Sequence, residues 1–116
     1  MADQKETYQR FESATLMAKQ LVSGGPYLEF LRRESLSMGL YVLDAGADDE
    51  QQPHDQDEVY YVIEGRAVLE VDGDQRPVQP GTIVHIGAGV AHRFHSIAAK
   101  LSVLVFFAPP ESKLRG

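Results

Sequence analysis

From Tyr27 to the end of the chain, apolar residues recur with a period near two, and turn-forming residues interrupt them about every ten positions. This alternation constrains the fold more than any other feature, because one step along a strand flips a side chain to the opposite face, whereas a helix needs a period of about 3.6. The expected strands are Tyr27 to Arg32, Met38 to Leu43, Glu58 to Ile63, Ala67 to Val71, Arg76 to Val78, Thr82 to Ile86, His92 to Ser96 and Leu101 to Phe107. Glu64-Gly65, Asp72-Gly73, Pro80-Gly81 and Gly87-Ala88-Gly89 read as the turns between them, each offering a glycine where positive φ is needed. Upstream the period changes. Phe11, Thr15, Met17, Ala18, Leu21 and Val22 recur at roughly helical spacing, and Gly24-Gly25-Pro26 supplies a stop, which predicts a short helix over about residues 12 to 22. A run of short strands behind one helix means an all-β sandwich or barrel.

At 116 residues the chain is expected to be one domain, with a core large enough to hold without staples. The first ten residues are polar and lack an apolar period, so they are read as a flexible tail and the domain is placed at 11–116. Zero cysteines exclude a disulfide framework, a thiolate nucleophile and a sulfur-based zinc site, leaving imidazole, carboxylate or amide oxygen as possible metal donors. A formal net charge of −6 disfavours phosphate backbones and anionic membranes. Neither a signal peptide nor a membrane span is read in the chain, and the expected location is cytoplasmic, with no nucleic acid and no membrane as partner.

Two strands are apolar on both faces. Glu58, Tyr60 and Val62 share one side of their strand while Val59, Tyr61 and Ile63 share the other, and Leu101, Val103, Val105 and Phe107 oppose Leu104 and Phe106 in the same way. Such strands must be covered twice, by the barrel interior and by either the helix or another subunit, so a homodimer is expected.

The segment from Gln51 to Glu58 carries the polar residues of interest. With extended backbone, Gln52, His54 and Glu58 fall on one face, and a second strand bearing His92 can meet them in the interior. Two imidazoles and a carboxylate on rigid strands suit Fe(II), and mixed nitrogen and oxygen donors also suit Mn(II), Zn(II), Ni(II) or Co(II). The alternative is a solvated acidic edge with His92 as a hydrogen-bonded core histidine. His85 and His95 are read as structural or exposed, His95 lying opposite His92 in a regular strand, and His85 acts as an acid or base only if its ring faces inward. The run Asp48-Asp49-Glu50 reads as a solvated loop at the barrel rim.

These segments resemble, in order and spacing, the paired motifs of the cupin superfamily. The first motif reads Gly46, five residues, Gln52-Pro53-His54, three residues, Glu58, six residues, Gly65. The second reads Gly81, five residues, Gly87-Ala88-Gly89, two residues, His92, three residues, Ser96. The resemblance covers about Gly39 to Pro110 and implies a double-stranded β-helix, or jelly-roll, barrel with one divalent transition metal held by Gln52, His54, Glu58 and His92. Gln52 stands where the family pattern has histidine, Gly87 where it has proline and Ser96 where it has asparagine. Of these, only Gln52 touches the metal chemistry, since an amide oxygen is a weaker donor than imidazole.

Tyr60 shares the face of Glu58 and Phe94 that of His92, so both are candidate substrate-binding residues as well as ordinary barrel core. Three readings follow. One is a metal-dependent enzyme acting on a small organic molecule as a dioxygenase, isomerase or hydrolase; a second is a barrel that binds or senses a small ligand without converting it; the third is a purely structural protein.

Overall fold

The computed structural model describes residues 7–49 and 53–112, so Gln52 lies outside the described residues. The leading helix α1 spans Ser13–Ser23 and ends at Gly24, whose φ of 83° is the left-handed conformation that closes a helix without a Cβ penalty. Its buried face differs from the expected one. Leu16 and Gln20, one turn apart, pack inward, whereas Leu21 and Val22 are 72% and 83% exposed. Gln20 is fixed there because its amide donates to the Pro26 carbonyl and accepts from the Ser23 hydroxyl.

Six strands follow among the described residues: β1 Tyr27–Arg32, β2 Ser37–Leu43, β3 Asp57–Val71, β4 Asp74–Val78, β5 Ile83–Ile86 and β6 His92–Ala108. They form one antiparallel sheet in the order β1-β2-β6-β3-β4, with β5 paired to the edge of β3 opposite β6. Among the described residues the sheet is not closed by hydrogen bonds, but the expected all-β jelly-roll with a short N-terminal helix is what the chain forms. No described helix is long and apolar enough to cross a membrane.

Two expected breaks are absent. Glu64-Gly65 lies inside β3 and Ser96 inside β6, so four expected strands are two long ones. They pair from Asp57↔Ala108 to Val71↔His92, and the irregular stretch is absorbed as register shifts between Val62 and Val68. Gly65 sits at that bulge with φ 100°, and a Cβ there would lie 2.3 Å from the Lys100 carbonyl oxygen. A glycine is thus required by a bulge and a close backbone approach, not by a reversal of the chain. Asp72-Gly73 is a true hairpin turn, both residues having positive φ, as a two-residue turn between twisted strands demands.

The inner face gathers side chains from β2 to β6 into one core. Tyr60, Phe94, Leu101, Val103 and Phe107 have no exposed surface, and Val62, Leu69, Ile86 and Val105 are nearly as buried. On the outer face α1 packs over β1 and β2, and Leu40 of β2 is fully buried. Farther along that face Val59, Leu104 and Phe106 are half-buried, and Tyr61 and Ile83 are exposed.

Candidate metal centre

Glu58 is the second residue of β3 and is paired on both sides, to Phe107 of β6 and to Ile86 of β5. Its backbone is therefore fixed, and its side chain is 1% exposed inside the barrel. His92 opens β6 opposite Val71, at the far end of the same ribbon. A straight strand would separate those two ends by roughly 40 Å. Instead His92 Nε2 stands 3.1 Å from Glu58 Oε1, because the bulged ribbon curls back on itself.

His54 precedes β3 in a loop that is tied to the second motif. The Gly89 amide donates to the His54 carbonyl at 2.7 Å, and the Ala88 amide donates to Asp57 Oδ1 at 3.0 Å. The His54 ring rests edge-on against Phe107, with centroids 4.9 Å apart, and its Nε2 lies 4.0 Å from Glu58 Oε1. One potential ligand atom from each of His54, Glu58 and His92 can be chosen so that all lie within 4.8 Å of one another.

Hydrogen bonding orients the His92 ring. Its Nδ1 is 2.8 Å from the Val90 carbonyl, which only accepts, so Nδ1 carries the proton and Nε2 is turned toward Glu58. Burial acts to lower the His92 pKa, but the contact with Glu58, the bond to Val90 and the charges of Glu58 and Asp49 outweigh it, leaving the group above its ordinary value.

Apart from the 3.1 Å contact between them, the Glu58 oxygens and His92 Nε2 are buried without a hydrogen-bond partner. Buried charge in that condition is costly, and either a proton on His92 or a bound cation offsets it. Two donors held by one ion at about 2.1 Å and near a right angle stand about 3.0 Å apart, close to the spacing of His92 Nε2 and Glu58 Oε1. Two nitrogens and a carboxylate are a donor set for a divalent transition metal.

Tyr60 and Phe94 line the interior beside this group. The Tyr60 ring is 6.0 Å from that of His92 and 5.0 Å from that of Phe94. A cavity of about 290 Å³ adjoins His92, bounded by Pro53, Glu70, Asp72, Gly73, Ala91 and Arg93, with Glu70 and Arg93 paired at 3.4 Å. His85 faces away: its side chain is 65% exposed, 4.0 Å from Asp57, which removes it as an internal acid or base. His95 is on the outer side, its ring nitrogens near Gln75 and Ser96.

The rim loop departs from expectation at Asp49, which is 4% exposed rather than solvated. Its carboxylate accepts from the Tyr41 hydroxyl and, at 2.8 Å, from the Phe94 amide. Sequence reasoning also passed over Glu111, a buried carboxylate whose Oε2 is 3.4 Å from His54 Nδ1. Nothing in the Pro109-Pro110-Glu111 pattern marks that side chain as inward-facing.

A curled jelly-roll with two imidazoles and a carboxylate gathered in its interior defines a class of small β-barrel proteins with a built polar centre. The cupin-domain family matches residues 39–107, and the chain belongs to that family. It is 50% identical over 102 residues to an uncharacterized protein of Streptomyces coelicolor, covering 88% of this chain and 97% of that one. Among solved structures it is similar to TT1209 from Thermus thermophilus, with a TM-score of 0.65, 28% identity and coverage of 80% and 94% of the two chains. It is also similar to an RmlC-like cupin from Shewanella frigidimarina, with a TM-score of 0.66, 22% identity and coverage of 74% and 78%.

Proposed function

We propose that this cupin binds one divalent transition metal through His54, Glu58 and His92, with Gln52 as a fourth donor, and acts on a small organic molecule. The observation that carries the proposal is the set of buried atoms on Glu58 and His92 that have no hydrogen-bond partner beyond each other, aimed at a common point with His54 beside them. A bound ion of this kind supplies Lewis acidity toward an oxygen of the substrate. The chain's own residues do the rest. Tyr60 and Phe94 exclude water and give the ligand an aromatic wall. The reaction class is a dioxygenation, isomerisation or metal-assisted hydrolysis.

A second reading is favoured by the outward orientation of His85: the same barrel binds or senses a small ligand without converting it. Metal analysis of purified protein and of His54→Ala, Glu58→Ala and His92→Ala variants tests the site. Near-stoichiometric metal lost in all three supports it, and metal content unchanged in all three ends it. Oxygen uptake and product analysis with small hydroxy and keto acids and sugars then separate conversion from binding.

The location proposed for the protein is cytoplasmic. A second copy of the chain is proposed as the cover for the outer row of Val59, Tyr61, Ile83, Leu104 and Phe106. Light scattering checks it: a dimer that becomes a monomer in Tyr61→Arg/Ile83→Arg agrees with that cover, and a monomeric unaltered chain refutes it.

A further inference from the structure

After β6 the chain returns across the ends of β1 and β2 and carries one carboxylate into the interior. The Glu111 amide donates to Ser37 Oγ at 3.0 Å, and the Arg32 guanidinium donates to the Glu111 carbonyl. Ser37 opens β2 and is fully buried, and Arg32 closes β1. Both backbone groups of Glu111 are thus held by the rigid end of one hairpin, and its side chain, 4% exposed, has no freedom to reach solvent. A carboxylate in that position needs a polar partner, and the His54 ring provides one at 3.4 Å.

His54 is the member of the group that sits on a loop, so strand pairing does not set its ring. Its two nitrogens have distinct neighbours: Nε2 faces Glu58, and Nδ1 faces Glu111. His92 is arranged alike, with Nδ1 on the Val90 carbonyl and Nε2 on Glu58. We propose that Glu111 is a positioning residue that accepts the Nδ1 proton of His54 and so keeps the Nε2 lone pair directed into the centre. A carboxylate behind an imidazole fixes tautomer and ring angle together and raises the donor strength of the other nitrogen. The C-terminal segment, beyond the family match at 39–107, then becomes part of the site. The effect on metal affinity rests on the proposed metal reading, but the tautomer does not.

The test uses the full chain, stripped of metal, at a pH well above the ordinary histidine pKa of about 6.5. Long-range proton–nitrogen NMR is expected to show His54 as the Nδ1–H tautomer. Glu111→Ala is expected to shift it toward Nε2–H, the form unassisted imidazole favours in water, and Glu111→Gln, whose amide oxygen still accepts, is expected to restore Nδ1–H. Titration with Zn(II) is expected to weaken about 10- to 100-fold in Glu111→Ala and less in Glu111→Gln. His54 found as Nε2–H in the unaltered protein overturns the proposal without any variant, as does an unchanged tautomer in a folded Glu111→Ala protein. Failure of the unaltered protein to bind metal, with the tautomer shift present, refutes the metal reading and leaves the positioning role standing.

Discussion

His92 Nε2 stands 3.1 Å from Glu58 Oε1, although the two residues belong to opposite ends of the β3–β6 ribbon, one paired with Val71 and the other with Phe107. The contact exists only in the curled fold, so whatever occupies the space between these atoms stabilises the curl. A divalent metal present at about 100 times its Kd adds about 2.7 kcal/mol to the folded state. For a domain of this size that raises Tm by roughly 10 °C. Thermal melts with Zn(II) or Ni(II) and with chelator check this: the unaltered chain is expected to show the rise, and Glu58→Ala and His92→Ala are expected to lose it.

The raised pKa of His92 gives the metal-free and metal-loaded proteins opposite responses to pH. In the absence of metal, the protonated ring paired with Glu58 favours the folded state. That stabilisation is fully present below the unfolded value of about 6.5 and is lost as pH rises through the higher folded value. Metal binding requires the Nε2 position free of its proton, so affinity increases as pH rises through the same interval. Melts in chelator are therefore expected to fall in Tm with rising pH, while the metal-induced increment grows. His92→Gln is expected to flatten both trends, and a metal increment that shrinks with rising pH would contradict this account.

The sequence carried the centre better than it carried the backbone that builds it. Parity put Glu58 and Tyr60 on the inner face because a curled strand preserves side-chain alternation, and the spacing of the motifs picked out His54 and His92 beside them. Glycine at 65 signals positive φ in a turn and in a bulge alike, so the long ribbon read as two strands. Leu21 and Val22 continued an apolar helical pattern yet are exposed, and Gln20 took the inward place through its bond to Pro26. Asp49 and Glu111 are buried because backbone groups distant in sequence, those of Phe94 for one and the ends of β1 and β2 for the other, meet them only in three dimensions.

Gly65 connects that backbone to the chemistry. A methyl group there meets the Lys100 carbonyl oxygen and the Leu101 Cα at 2.3 Å and 2.6 Å, and both contacts are with main chain that is held in β6 and cannot swing aside. The φ of 100° adds strain for any side chain. Gly65→Ala is expected to cost more than about 2 kcal/mol in urea unfolding. Because the bulge lets the ribbon curl, the variant is also expected to reduce the metal-induced rise in Tm. Gly73→Ala, with open space around the added Cβ but a similar φ of 86°, is a control for backbone strain alone and is expected to leave that rise intact.

Asp49 fixes the rim loop to the strand that begins at His92. Its carboxylate takes the Phe94 amide, two residues beyond His92, and the Tyr41 hydroxyl from β2. Asp49→Ala leaves a buried amide and a buried hydroxyl short of an acceptor, an expected loss of about 1–3 kcal/mol for each group left unsatisfied. Asp49→Asn keeps one acceptor oxygen and is expected to lose less. The amide of Phe94 reports the difference directly: hydrogen exchange at that position is expected to quicken in Asp49→Ala far more than at Val103 in the core of β6, where pairing to β2 and β3 is untouched. Equal acceleration at both positions would mean that the carboxylate supports the whole sheet and not the local junction between rim and centre.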